Sequence, residues 1–197
     1  MIKSIDYYLS LASPWCYLGH ERLVVLANQH NAIIRIWPMD FSIIFPCTGG
    51  IPLAKRSDQR KAYRMQELHR WRDHSHIELN LEPKHFPISD KLAAIMIVNL
   101  RKQDPKKAIH LAGACLRACW LEERDVSDTD TLLAIATENN LDGSTLIEDN
   151  IGAIEEIAKD SAKAAELGVF GAPSYRFGEQ LFWGQDRLEF LERALAK

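Results

Sequence analysis

Four residues near the start of the chain, Ser13-Pro14-Trp15-Cys16, have the spacing of a C-x-x-C redox motif with serine in place of the first cysteine. In such a motif the first cysteine is the nucleophile, because the reactive form is the thiolate and a free thiol has a pKa of about 8.5. A serine hydroxyl does not ionise at that position. Cys16 alone cannot run a dithiol–disulfide cycle, so either the motif is disabled or its sulfur comes from another molecule.

The residues around Ser13 predict that it begins a helix. The preceding segment, IKSIDYYLS, mixes β-branched and aromatic residues in partial alternation, which is typical of a strand ending near Ser10. Ser13 is a favourable N-cap, Pro14 fits the first helical position, and apolar residues at helical spacing continue toward Asn28. A helix start carries unpaired N–H groups and about half an elementary positive charge. Ser13 is therefore expected at a position that stabilises anions, including thiolates.

A second candidate element is Gly171-Ala172-Pro173-Ser174, where small residues and a proline precede a predicted strand. This pattern is compatible with a cis peptide bond, since the cis form costs only about 0.5–1 kcal/mol before proline. If this loop faces the start of the first helix, Ala172 offers main-chain groups to a peptide there. An ordinary turn is the alternative interpretation of these residues.

The third element is Trp183-Gly184-Gln185-Asp186, at the start of the last predicted helix. Helix N–H groups there can bind a carboxylate, and Asp186 can bind an ammonium group, so the segment suits the head of an α-amino acid. Alternatively, Asp186 only stabilises the first turn of the helix through its charge, and Gln185 takes the place of an N-cap residue.

The order of elements predicts an α/β protein, a thioredoxin-like fold with a large all-helical insertion. A β-α-β unit, with its second strand at 32–37, fills residues 1–45, and a strand-turn-strand-helix unit with strands at 174–177 and 181–183 and a helix from Gln185 fills residues 168–197. These two segments form one discontinuous thioredoxin-like domain. Residues 46–167, called the helical insertion below, begin with a predicted loop from Phe45. Helices are predicted at 57–76, 89–102, 105–124, 128–139, 143–150 and 151–167.

Composition excludes several function classes. The chain has 197 residues and a net charge of −3, which gives no reason to expect nucleic acid or an acidic membrane as a partner. No signal-peptide pattern or long apolar segment is evident, so a cytoplasmic location without membrane insertion is expected. Its four cysteines are then expected to be thiols, with Cys16 interpretable as a small packed residue. His69 and His76 have no Cys or acidic partner at a metal-ligand spacing, so no metal is predicted.

Taken together, these motifs resemble one family, the 2-hydroxychromene-2-carboxylate isomerases, which are grouped with kappa-class glutathione transferases and more distantly with DsbA-type oxidoreductases. The resemblance covers nearly the whole chain and is specific for the family more than for one activity within it. The motifs that carry it are S-P-x-x-Y-L-G at 13–19, T-G-x-x-P at 48–52, K-x-Y at 61–63 with R-W at 70–71, HFP at 85–87, GVFGAPSY at 168–175 and FWGQDR at 182–187.

The resemblance implies that glutathione is a bound cofactor and that Ser13 is the catalytic residue, donating a hydrogen bond to the glutathione thiolate. It implies that Ala172, in the loop with Pro173, pairs with the cysteinyl main chain. Gln185 and Asp186, after Gly184, would hold the γ-glutamyl end. The thiolate would add to an activated double bond of a small aromatic carboxylate, the resulting single bond would rotate, and elimination would give the other isomer. Family analogy also suggests a homodimer.

One position departs from the family pattern. The middle loop of the family often carries T-G-Asn or S-G-Asn with the Asn side chain near glutathione, whereas this chain has Gly50. Gly50, Trp15 and Trp183 are the candidate substrate contacts. The basic residues nearby are either ligands for the substrate carboxylate or the glycyl end of glutathione, or a solvated helix face; they are Lys55, Arg56, Arg60 and Lys61.

Three other functions remain open from the sequence. A glutathione transferase of the kappa-class type would use the same thiolate and release a conjugate. A DsbA-like thiol oxidoreductase would use Cys16, with Cys47 as a second thiol. A non-catalytic protein would bind glutathione or a peptide without turnover.

Overall fold

The computed structural model describes residues 2–197, and its strands form a four-stranded mixed sheet. The strands are β1 (Ser4–Leu9), β2 (Ile33–Pro38), β3 (Ser174–Phe177) and β4 (Gln180–Trp183). Their order across the sheet is β2-β1-β3-β4, with β1 parallel to β2 and the other two pairs antiparallel. The predicted β-α-β start and the C-terminal hairpin are therefore confirmed.

Helix α1 (Pro14–Gln29) connects β1 to β2, and helix α9 (Leu188–Leu195) follows β4. Ser13 caps α1 and Pro14 occupies its first turn, as the sequence predicts. The prediction of a helix beginning at Gln185 needs a correction, because residues 185–187 form a 3₁₀ turn before α9 begins. The backbone of Arg187, at φ −102° and ψ 4°, separates the two.

Seven helices lie between β2 and β3. Aspartate side chains cap the starts of five of them, because a carboxylate accepts from the free N–H groups and complements the helix dipole. The helices are α2 (Phe41–Thr48), α3 (Asp58–Ser75), α4 (Lys91–Gln103), α5 (Pro105–Trp120), α6 (Thr129–Glu138), α7 (Gly143–Glu148) and α8 (Asn150–Glu166).

Two sequence-based boundaries are wrong. The predicted loop from Phe45 is helical as far as Thr48, because Pro46 lies only in the last turns of α2 and the helix ends at Gly49 with φ 74°. The division between residues 45 and 46 therefore falls within a helix, while the division into domains stays a prediction. The predicted helix 105–124 ends at Trp120, since the chain turns back and Glu123 adopts a φ of 55°.

The hydrophobic core is continuous between the sheet and the helical insertion. Eight consecutive residues of α4, Ala93–Leu100, are buried, so this helix has protein on every side. Side chains from β1, α1, α4 and α5 belong to one cluster, which includes the fully buried Trp120. Across residues 2–197, no helix has both the length and the apolar character needed to cross a membrane.

Candidate active site

The register of the sheet brings distant chain segments to one edge. Leu9, the last residue of β1, pairs with Pro38, the last residue of β2. On the other side, Tyr8 pairs with Ser174, the first residue of β3, and Ser174 pairs with Trp183, the last residue of β4. The segments that follow β1 and β4 and the segment that precedes β3 therefore meet at the same edge of the sheet.

Three of these segments contain the residues that the sequence singled out. Residues 10–13 lead from β1 into α1, residues 171–173 precede β3, and residues 184–186 follow β4. A backbone hydrogen bond of 2.9 Å from the N–H of Gly184 to the carbonyl of Pro173 joins the last two segments. The structure thus brings Ser13, the proline loop and the segment after β4 together.

Ser13 has the geometry of an N-cap whose hydroxyl proton is free. Its backbone is extended, with φ −91° and ψ 123°, and its Oγ accepts a hydrogen bond of 3.3 Å from the N–H of Cys16. The N–H of Tyr17 donates to the Ser13 carbonyl at 3.1 Å. Since Oγ is the acceptor in the cap, its own O–H remains available as a donor. The first turn of α1 has no acidic residue, so no side chain of that turn neutralises the positive helix end.

The loop before β3 contains a cis peptide bond between Ala172 and Pro173, as the sequence predicts. The hydroxyl of Ser174 donates to the carbonyl of Gly171 at 2.7 Å, and this hydrogen bond restrains the loop. Trp183 packs directly on Gly171, because a Cβ atom there would lie 2.4 Å from the indole Nε1. The Trp183 ring is half exposed and stands 4.7 Å from that of Phe170, centroid to centroid.

The segment after β4 presents main-chain atoms more than side chains. Gly184 has φ 106° and a Cβ there would lie 2.3 Å from Oδ1 of Asp186, so only glycine fits. Gln185 is 2% exposed and its side-chain oxygen accepts from Arg22 of α1. Its side chain therefore faces α1. Asp186 is partly buried and pairs with Arg187 at 2.8 Å.

Gly19 lets α1 approach this segment closely. A Cβ atom at Gly19 would lie 2.6 Å from the Tyr175 hydroxyl and 2.9 Å from Cβ of Gln185. Any side chain at this position would push α1 away from the turn at 185–187. The distance between the start of α1 and the segment after β4 therefore depends on a glycine in the second turn of the helix.

Sequence reasoning missed Asp90, which holds the segment before Ser13. One oxygen of its carboxylate accepts from the hydroxyl of Ser10 at 2.7 Å and from the N–H of Ala12 at 3.2 Å. Asp90 precedes α4 but makes no side-chain cap there, so its hydrogen bonds serve the site segment instead. No local pattern signals this role, because the partners lie 78 and 80 residues away.

Cys16 lies beneath the site with its side chain fully buried. Burial raises the pKa of its thiol to about 12. Cys115 and Cys119 have similarly raised pKa values for the same reason, whereas Cys47 is exposed. All four cysteines are free thiols. Within residues 2–197, no group of three His, Cys, Asp or Glu side chains is arranged to hold a metal.

The candidate substrate residues have different surroundings. Trp15 is partly buried next to Ser13 and packs on the core, and Trp183 lies at the proline loop. Gly50 follows α2, and a Cβ atom there would lie 2.1 Å from the ring of Phe45. An asparagine at position 50 therefore requires Phe45 to move.

Comparisons with known proteins agree with the geometry. The model of the DSBA-like thioredoxin domain matches residues 4–196. A 2-hydroxychromene-2-carboxylate isomerase of Sphingobium xenophagum is 31% identical over 198 residues, which covers 99% of each chain. A solved structure of a 2-hydroxychromene-2-carboxylate isomerase covers 98% of this chain and 94% of its own, with a TM-score of 0.84 and 24% identity.

A more distant solved structure has the same fold and contains glutathione (GSH). It is the cytosolic disulfide reductase DsbM from Pseudomonas aeruginosa with GSH, which is 14% identical, has a TM-score of 0.71 and covers 98% of this chain and all of its own. Fold, motifs and full-length similarity point in one direction: the chain belongs to the DsbA-like thioredoxin-domain family and, within it, to the 2-hydroxychromene-2-carboxylate isomerases.

Proposed function

We propose that this protein is a glutathione-dependent cis-trans isomerase that acts on a small aromatic carboxylate of the 2-hydroxychromene-2-carboxylate type. The observation that carries the proposal is the free hydroxyl proton of Ser13 at the start of α1, where a C-x-x-C protein has its nucleophilic cysteine. Glutathione, when bound, supplies the thiolate that adds to and leaves the activated double bond of the substrate.

The residues around Ser13 fit a bound thiolate. The Ser13 hydroxyl donates a hydrogen bond to the sulfur, and such bonds to charged groups are stronger than neutral ones. The helix start adds a partial positive charge that no acidic residue of the first turn cancels. Both effects favour the ionised form of a thiol over the neutral form, so they lower its pKa.

The two neighbouring segments fit the main chain of a tripeptide. Ala172, before Pro173, offers its backbone N–H and carbonyl groups for pairing in the manner of strand addition. Gly184 leaves room for close backbone approach, and the N–H groups of Gln185 and Asp186 suit the α-carboxylate of a γ-glutamyl group, since that of Arg187 donates to the Gly184 carbonyl. The carboxylate of Asp186 suits the ammonium group of that γ-glutamyl group.

The state of Cys16 argues against a thiol oxidoreductase. A thiol with a pKa of about 12 is protonated at neutral pH, and its full burial excludes a protein disulfide from reaching it. The predicted homodimer and the cytoplasmic location stay predictions, which size-exclusion chromatography and cell fractionation test.

The substitution Ser13→Ala tests the proposal. We expect kcat for glutathione-dependent isomerisation of 2-hydroxychromene-2-carboxylate to fall by about 10- to 100-fold, the value of one hydrogen bond to a charged group. The pKa of the bound glutathione thiol, measured from the ultraviolet absorbance of its thiolate, should rise at the same time. Asp128→Ala is the matched control, because it removes the N-cap of α6 without touching the site.

The products separate the competing functions. If the product is the isomer of the substrate and carries no glutathione, the result supports the proposal. If the product is a stable glutathione conjugate, the result indicates a transferase. If turnover does not require glutathione, or if Ser13→Ala turns over like the native protein, the proposal is wrong.

A further inference from the structure

Arg22 links helix α1 to the segment after β4 through a single residue, Gln185. One nitrogen of its guanidinium group donates to the side-chain oxygen of Gln185 and also lies 3.5 Å from the main-chain carbonyl oxygen of that residue. No carboxylate among residues 2–197 lies within 4.0 Å of this guanidinium group. The two oxygens that Arg22 contacts are therefore neutral, and no ion pair cancels its positive charge.

The position of the Gln185 side chain depends on Arg22. Gln185 is 2% exposed, and among residues 2–197 its side chain has no hydrogen-bond partner besides Arg22. The packing around it is tight, because a Cβ atom at Gly19 would lie 2.9 Å from Cβ of Gln185. A buried amide oxygen that loses its donor is unfavourable. Without Arg22, the side chain is expected to leave this position, and the main chain of the turn at 185–187 is expected to move with it.

The same contact determines the direction of the next peptide group. The carbonyl and N–H groups of a planar trans peptide point in opposite directions. Because the carbonyl of Gln185 faces Arg22, the N–H of Asp186 points away from Arg22. Within residues 2–197, neither this N–H nor that of Gln185 has a hydrogen-bond acceptor. These two free donors are the ones that suit the α-carboxylate of a γ-glutamyl group.

The charge of Arg22 also acts through this peptide group. A cation beside a carbonyl oxygen polarises the amide, so the N–H on the other side becomes a stronger donor, as it does in a chain of hydrogen bonds. The effect is largest when the acceptor is an anion, since hydrogen bonds to charged groups are the stronger ones. Arg22 therefore favours a carboxylate at the Asp186 N–H without touching it.

We propose that Arg22 is a positioning residue for the γ-glutamyl group of glutathione, because it holds the side chain and the carbonyl of Gln185 and so orients the N–H of Asp186. The inference rests on the proposed function, which supplies the ligand. It adds a residue of α1 to a contact that the proposed function assigns to the segment after β4 alone. The helix that begins at Ser13 thus acts on both ends of the ligand, the thiol and the γ-glutamyl head.

Isothermal titration calorimetry with two thiols tests this role. Glutathione carries the γ-glutamyl group, whereas N-acetylcysteinylglycine keeps both amides and lacks the α-amino acid head. We expect Arg22→Gln to weaken glutathione binding by about 10-fold, because the two N–H donors lose their fixed orientation. Binding of N-acetylcysteinylglycine, measured by its competition with glutathione, should change by less than about 2-fold. A merely structural role of Arg22 would weaken binding of both thiols.

Three further variants locate the effect at Gln185. Gln185→Ala and the double variant with Arg22→Gln should bind glutathione about as weakly as Arg22→Gln alone, because residues that act as one unit are not additive. Arg22→Lys keeps the charge without the planar fork and should recover only part of the affinity. Arg193→Gln is the matched control, since Arg193 lies in α9 and pairs with Glu189, and it should bind glutathione like the native protein.

The outcomes separate this role from the proposed function. If Arg22→Gln binds glutathione like the native protein, or loses affinity equally for both thiols, the inference is overturned and the proposed function stands. If Arg22→Gln weakens only glutathione binding while Ser13→Ala turns over like the native protein, the positioning role stands and the proposed function fails. A native protein that does not bind glutathione overturns both.

Discussion

At the scale of single residues, two neighbours in one motif have opposite environments. Ser13 keeps a free hydroxyl proton at the start of α1, whereas Cys16 is buried one turn further on. Since burial raises the pKa of Cys16 to about 12, the side chain resembles a small apolar residue more than a nucleophile. The chemistry of the motif therefore depends on its first position.

Alkylation at neutral pH should distinguish the four thiols. Cys47 is exposed and should react in the native protein, while the three buried thiols should react only after unfolding. Cys16→Ala should keep glutathione-dependent turnover within about 2-fold of native, because no step of the proposed reaction uses this sulfur. Mass spectrometry of the alkylated peptides and steady-state kinetics check both expectations; alkylation of native Cys16 would contradict them.

The sequence predicts local features of the site and fails on distant ones. The N-cap of Ser13 and the first-turn position of Pro14 follow from neighbouring residues, so both predictions are confirmed. The orientation of Gln185 depends on Arg22, which lies 163 residues away, and no local pattern contains that contact.

At the scale of elements, the helical insertion positions the site through Asp90. Its carboxylate reaches from the start of α4 to the hydroxyl of Ser10 and the N–H of Ala12. These two hydrogen bonds fix the segment that leads into α1. Under the proposed function Asp90 is a positioning residue, since it would act on Ser13 through the backbone.

Substitution of Asp90 should separate positioning from folding. We expect Asp90→Ala to lower kcat by about 10-fold and the free energy of unfolding by about 1–3 kcal/mol, because two donors lose their acceptor. Asp90→Asn keeps an acceptor oxygen and should restore most of the turnover. Urea unfolding and kinetics with saturating glutathione measure both effects. Equal kcat for Asp90→Ala and the native protein would exclude the positioning role.

Prediction of elements from the sequence is accurate where the pattern is regular. Strand bounds agree to within two residues, since alternation and flanking turn residues are local signals. The sequence does not predict helix α2, and it predicts a loop from Phe45 onward because Pro46 and two glycines are typical of a loop. In the structure, the N-cap of Asp40 and the packing of Phe45 on Phe41 stabilise this helix although it contains a proline.

At the scale of the whole molecule, His20 joins the sheet side to the helical insertion. Its Nε2 donates to the carbonyl of Ile109 in α5 at 3.1 Å, and Gly113 provides the space for the ring. Burial lowers the pKa of His20 from 6.5 to about 4, so the ring is neutral at pH 7. A neutral histidine is thus part of the interface between α1 and α5.

This interface should make stability depend on pH. The unfolded chain binds the His20 proton near pH 6.5 and the folded chain only near pH 4, so stability is lost as pH falls through this window. We expect the free energy of unfolding to decrease by about 2 kcal/mol between pH 7.5 and 5. Urea titrations measure it. His20→Gln, which keeps a donor for Ile109, should flatten the dependence, whereas exposed His110→Gln should not; a native protein with no slope would contradict the assignment.

The pairing of β1 with β3 has a consequence for folding kinetics. Tyr8 and Ser174 are neighbours in the sheet although the entire helical insertion lies between them. Closing so long a loop in an unfolded chain costs about 4–5 kcal/mol of entropy, and a folded insertion shortens the distance to be closed. Collapse of α2–α8 before strand pairing is therefore the favoured route, and affinity for glutathione should appear only in the last kinetic phase of refolding.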